Sequence, residues 1–151
     1  MYEILTTIHS ILRWVIVIIA LIVIFKSLAG WIGKKNYADS DNMLGLLLNS
    51  SLDLQLITGL VLYIFLSPLT QTAFLDFGSA MSNPVLRFFA VEHFLLMLIA
   101  IVLVHIGRVR VKKADTDVKK HKRSFIFYLI AFILILVSIP WPFMGYGQGW
   151  I

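Results

Sequence analysis

The 151-residue chain contains no cysteine. That excludes disulfides, Cys-ligated iron–sulfur clusters, covalently attached c-type haem and thiol catalysis, and leaves histidine and carboxylates as the candidate metal ligands. Charge is scarce too. Asp, Glu, Lys and Arg make up 14% of the residues against 60% hydrophobic ones, and the mean hydropathy is +0.91. A soluble globule or a disordered tail is not this apolar. The net charge of +5 would suit nucleic acid, but most Lys and Arg stand between two apolar runs, where they set membrane topology. The expected partner is the lipid bilayer, not nucleic acid.

Four apolar runs, at about 5–31, 43–66, 85–107 and 124–139, predict an all-α, integral membrane four-helix bundle forming one domain over 1–151. The first run is broken only by His9, Arg13 and Lys26, and is too long and too poor in early basic residues for a cleaved signal peptide. Pro140 and Pro142 stop the last helix. No internal repeat is present. Predicted loops lie at 33–42, 67–84 and 108–123, and the last of these carries eight Lys and Arg. With Lys26, Lys34 and Lys35, eleven of the thirteen basic residues fall on one side. The positive-inside rule makes that side cytoplasmic, so both termini and the 67–84 loop are expected outside a bacterial inner membrane. Trp141, Phe143, Tyr146 and Trp150 read as an outer interfacial belt, kept irregular by Gly145, Gly147 and Gly149.

Ionisable residues inside apolar runs need a partner or a cavity, so His9, Arg13, Asp53, Glu92, His93 and His105 form the functional shortlist. The first and third helices run in the same direction. Counted from the basic side, His9 and His93 come within roughly 3 Å in depth; counted from the outer ends, they differ by roughly 6 Å. Two imidazoles at one depth in a dry bundle are what one b-type haem needs, with Arg13 or Arg87 on a propionate and Phe89 and Met97 lining the pocket. The bland alternative is that His9 lies in the headgroup zone and His93 hydrogen-bonds a neighbouring helix. For Arg13 and Glu92 the simple structural alternative is an ion pair with each other. His105 is expected at the cytoplasmic interface, and His121 in a solvated, lipid-facing run of lysines.

On the second helix Asp53 falls near mid-membrane, with Asn49 on its face and Ser51, Gln55, Thr58 and Gly59 on another. This offers a possible quinone or proton site using Asp53, Gln55 and Glu92. The other readings are a haem-free accessory subunit of a larger membrane complex and a small proton or ion carrier.

The stretches Thr7-Ile8-His9-Ser10-Ile11-Leu12-Arg13-Trp14, Val91-Glu92-His93-Phe94 and Ile139-Pro140-Trp141-Pro142-Phe143, with the basic connection before the fourth helix, resemble the small bacterial four-helix membrane proteins labelled cytochrome b. The resemblance spans the whole chain. It implies a b-haem protein of the inner membrane linked to quinone-based electron transfer, with His9 and His93 as ligand candidates. The chain departs from better-known four-helix b cytochromes in lacking histidine on the predicted second and fourth helices.

Overall fold

A computed structural model describes residues 1–145, 149 and 150. Among them there is no strand, and six helices account for most of the chain. Four are long and apolar enough to cross a membrane: α1 (Tyr2–Ile32), α2 (Asp39–Leu66), α5 (Pro84–Lys112) and α6 (Asp117–Ser138). Two short helices, α3 (Pro68–Leu75) and α4 (Phe77–Ser82), fill the connection between α2 and α5. The 67–84 segment is therefore not the loop its Pro, Gly and Ser suggested. Each short helix has a local start signal: Pro68 at the first turn of α3, and the Asp76 carboxylate accepting from the Ser79 N–H of α4.

The basic 108–123 segment is mostly helix as well. α5 continues to Lys112 and α6 starts at Asp117, leaving a four-residue turn. Charge on a helix end exposed to water is cheap, and local pairing supports it here: Thr116 caps the Lys119 N–H, and Lys119 and Lys120 pair with Asp115 and Asp117 at 2.8 and 3.1 Å. The turn between α1 and α2 is stapled by Lys26, whose ammonium meets Asp41 at 2.9 Å and Ser40 at 2.8 Å. Both turns lie at one end of the bundle, which gathers the eleven basic residues there.

Around the bundle α1 packs on α2 and α6, and α5 packs most extensively on α6; contact between α2 and α5 is slight. The core holds Ile16, Ala20, Leu52, Val104, Tyr128 and Ile135, with Ala100 and Ala131 wholly buried where helices approach closely. Two single turns depart from α-geometry, widening to π hydrogen bonding at Leu62–Leu66 in α2 and Phe88–Glu92 in α5. Such a turn frees backbone carbonyls, and side chains satisfy them: the Tyr63 hydroxyl donates to Ala90 O at 2.6 Å, Thr70 to Tyr63 O at 2.7 Å and Gln71 to Ile64 O at 2.6 Å. The two widened turns are thereby tied together at the end of the bundle opposite the basic one.

Beyond α6, Trp14, Trp141 and Trp150 cluster with ring centroids 6.1 to 6.3 Å apart. Tyr146, Gly147 and Ile151 lie outside the described residues.

Candidate functional site

A cavity opens beside the widened turns, between α1, α2 and α5, with the end of α6 closing it. Its volume is about 160 Å³, and it is open on one side. His9, Arg13, Gln55, Phe89, His93 and Met97 all line it, so six of the residues singled out from the sequence meet in one place. The His9 and His93 rings face each other edge to plane, with centroids 6.4 Å apart and planes at 65°. Basic-side counting was the better guide to depth, because α1 starts at Tyr2 and α5 at Pro84. From those starts the two histidines lie seven and nine residues in, a difference of about 3 Å.

Hydrogen bonding sets the tautomer of each ring. The His93 Nδ1 is 2.6 Å from Ser138 O. A carbonyl only accepts, so Nδ1 carries the proton and Nε2 the lone pair. His9 Nδ1 is 3.2 Å from Thr58 Oγ1, whose own proton goes back to the Leu54 or Gln55 carbonyl at 3.1 and 3.0 Å. The threonine oxygen therefore accepts from His9 Nδ1–H, and His9 too keeps its lone pair on Nε2. Neither Thr58 nor Ser138 was singled out as a partner of these rings from the sequence, although a hydroxyl one turn from its own carbonyl acceptors is a legible signal. Gly59 lets α2 approach: a Cβ there would sit 3.1 Å from His9 Cε1.

Two polar atoms of the cavity residues are buried with no partner among the described residues, Arg13 Nε and Gln55 Oε1. The amide nitrogen of Gln55 and one terminal nitrogen of Arg13 are engaged. Gln55 Nε2 donates to His9 O at 3.0 Å, and Arg13 Nη2 donates to Trp150 O at 2.7 Å, an acceptor shared with Trp14 Nε1. Arg13 also lies over the Trp14 ring.

Several expectations need correction. Arg13 does not pair with Glu92. Glu92 is bound by Arg87 at 2.7 Å, five residues earlier on the same helix, on an exposed face away from the cavity. The widened turn between them explains the pairing, since it alters the spacing that puts side chains on one face. Arg87 is consequently committed to Glu92 and to Met81 O. Asp53 joins neither Gln55 nor Glu92: its carboxylate meets His105 Nε2 at 2.8 Å, with Asn49 Nδ2 3.2 Å from the other oxygen. His105 is thus a partner across the α2–α5 seam, and its side chain remains about half exposed. His121 is not lipid-facing. It is 2% exposed, because α6 begins early enough to put it on the buried stripe with Ser124, Tyr128 and Ala131.

No family model matches the chain, and no curated protein or solved structure matches it. The site stands on its geometry. The two anchored imidazoles keep their lone pairs on Nε2; no cluster of three or more His, Asp or Glu suited to a bare metal ion occurs among the described residues.

Proposed function

We propose that this is a four-span membrane protein of the bacterial inner membrane that binds one b-type haem between His9 and His93 and carries electrons in a quinone-linked chain. The single observation that supports it is the facing pair of imidazoles with both Nδ1 atoms committed elsewhere. His9 and His93, with ring centroids 6.4 Å apart, would hold the iron through their Nε2 atoms. A haem supplies reversible one-electron reduction at its iron.

The chain's own residues do the rest. Thr58 and Ser138 O hold the rings in one tautomer and raise their basicity. The unpartnered Arg13 Nε–H is a donor suited to a carboxylate at the cavity wall. Ile16, Ile101 and Ile135 give the cavity an apolar wall. The cavity of about 160 Å³ is open on one side, and a macrocycle would extend through that side.

That small volume favours a second reading, a quinone headgroup in the same cavity, with Gln55 Oε1 accepting from a hydroquinone hydroxyl. Asp53 and Glu92, the carboxylates of the proton-carrier reading, are bound to different partners in different places.

The experiment is a reduced-minus-oxidised spectrum of the purified, haem-supplied protein. Low-spin b bands are expected in the wild type and lost in His9→Ala and in His93→Ala, because low-spin iron needs both axial positions filled. A folded wild-type protein without such bands overturns the haem; saturable binding of a short-chain quinone to that sample establishes the second reading instead.

A further inference from the structure

The two least buried spans stand side by side. In α5 and α2, 22% and 33% of the apolar stretch is buried, against 44% and 39% in α1 and α6, and the contact between α2 and α5 is slight. The seam between them is open, and it is not purely apolar. Asp53 and His105 meet across it at 2.8 Å with side chains 44% and 48% exposed. Both lie within apolar runs. Asp53 is fourteen residues into α2, about 21 Å from its start, and His105 stands three residues, about 4.5 Å, to the membrane side of Arg108.

Hydrocarbon does not solvate such a pair. The His105 ring nitrogens are engaged by Asp53 and, at 3.4 Å, by Asn49, whose Nδ2 is also 3.2 Å from the second Asp53 oxygen. A carboxylate offers about four lone-pair sites and these contacts use two, so the exposed carboxylate keeps acceptor capacity that acyl chains cannot meet. Polar groups within spans face other protein or water rather than lipid tails.

Symmetry says which protein fits. Two copies inserted in the same sense are related by a two-fold axis along the bundle, and rotation about that axis leaves depth unchanged. Asp53 on α2 and His105 on α5 share one depth. Rotation therefore sets the carboxylate end of one pair beside the imidazole end of the other, an antiparallel arrangement in which the seam is complementary to itself. The flanking surface suits close packing of helices. Leu46 and Ile57 share the Asp53 face of α2, Val102 and Val109 share the His105 face of α5, and all four are exposed. Ser50, exposed one turn from Asp53, is small enough to let backbones approach.

We propose that the α2–α5 seam is the interface of a homodimer with its two-fold axis along the bundle, in which the Asp53–His105 pairs of two copies cover each other. Neither residue lines the His9–His93 cavity, and the interface does not depend on what that cavity holds.

The chain lacks cysteine, so a single introduced thiol reports on one position. In purified protein diluted into lipid vesicles, Ser50→Cys is expected to give a covalent dimer with a short bis-maleimide. Ile22→Cys, exposed on α1 and ten residues from the same end of the bundle, is expected to stay monomeric. Energy transfer between donor- and acceptor-labelled copies measures the association itself. Asp53→Asn should weaken it about eight-fold, because the change touches two symmetry-related contacts, each of the size of an interhelical hydrogen bond in a membrane. Val102→Trp alters an outward-facing side chain, so the protomer should still fold while the wedge weakens association at least as much. A wild type that shows no association in vesicles, equal cross-linking of Ser50→Cys and Ile22→Cys, or a Val102→Trp or Asp53→Asn protein that associates like the wild type would overturn the interface. Cross-linking of Ser50→Cys in cell membranes solely to a different protein would give the seam to another subunit and overturn the second copy as its occupant.

Discussion

Replacing Gly107 with alanine tests a close contact between α5 and α6. The new methyl carbon would stand 2.6 Å from Phe127 Cβ and 3.1 Å from its Cγ, whereas carbon atoms in contact rest about 3.5–4.0 Å apart. Phe127 Cβ is one bond from the backbone, so no rotamer change relieves the clash; α5 and α6 must separate by about 1 Å. They share the most extensive interface of the bundle, and overpacking of this kind costs about 1–3 kcal/mol. Alanine's better helix propensity returns about 1 kcal/mol, leaving a net loss of up to about 2 kcal/mol. Gly45→Ala is the control. Its methyl would meet Arg108 Nη1 and Tyr128 Oη at 3.2 Å, the ends of side chains, and the arginine can shift. There propensity wins, and stability should hold or rise. Thermal unfolding followed by circular dichroism in one detergent compares the pair. A Gly107→Ala protein melting at or above the wild type would refute the close-contact reasoning.

Across the α2–α5 seam, Asp53→Asn and His105→Gln should each destabilise, with a coupling energy of about 1 kcal/mol in a double-mutant cycle, the size of interhelical hydrogen bonds in membranes; strictly additive losses would show the pair is idle. The eleven-to-two division of basic residues predicts that a tag at Asp115 is cytoplasmic and one at Gly78 is not, and labelling of the Asp115 tag on intact cells would reverse the topology. At the α4 cap, the Ser79 hydroxyl and N–H hold Asp76 below the ordinary carboxylate range. A depressed folded pKa stabilises above the unfolded value and loses that contribution as pH falls through the folded one. Ser79→Ala should therefore move the Asp76 titration, followed by NMR, up toward the ordinary range, and an unmoved curve would remove the hydroxyl as its cause.

The four long helices were legible because apolar runs of spanning length leave little choice, and the His9–His93 meeting was legible because both lie at countable distances from the same basic border. Helix ends were less so. Hydropathy stops at Ser124, yet α6 reaches back to Asp117, since lysines with nearby aspartates continue a helix in water as readily as leucines do in lipid. That error hid His121, which stands three residues before Ser124 and seven before Tyr128, the spacing of a buried face. Composition suggested Arg13 with Glu92 because it counts charges by depth; it cannot see a widened turn that hands Glu92 to Arg87. Asp53 with His105 was missed for a related reason: side chains on crossing helices reach each other along the tilt, which residue counting alone does not measure.

Each widened turn holds one residue more than the α-helix around it, a single-codon surplus lodged in the chain. Closing the Phe88–Glu92 turn by deleting one residue would rotate whatever follows by about 100° relative to what precedes. His93 begins immediately after it. The imidazole's place opposite His9 is thus a matter of phase, set by an insertion five residues upstream at most, and a lineage could acquire or discard the meeting of these two rings without substituting either histidine.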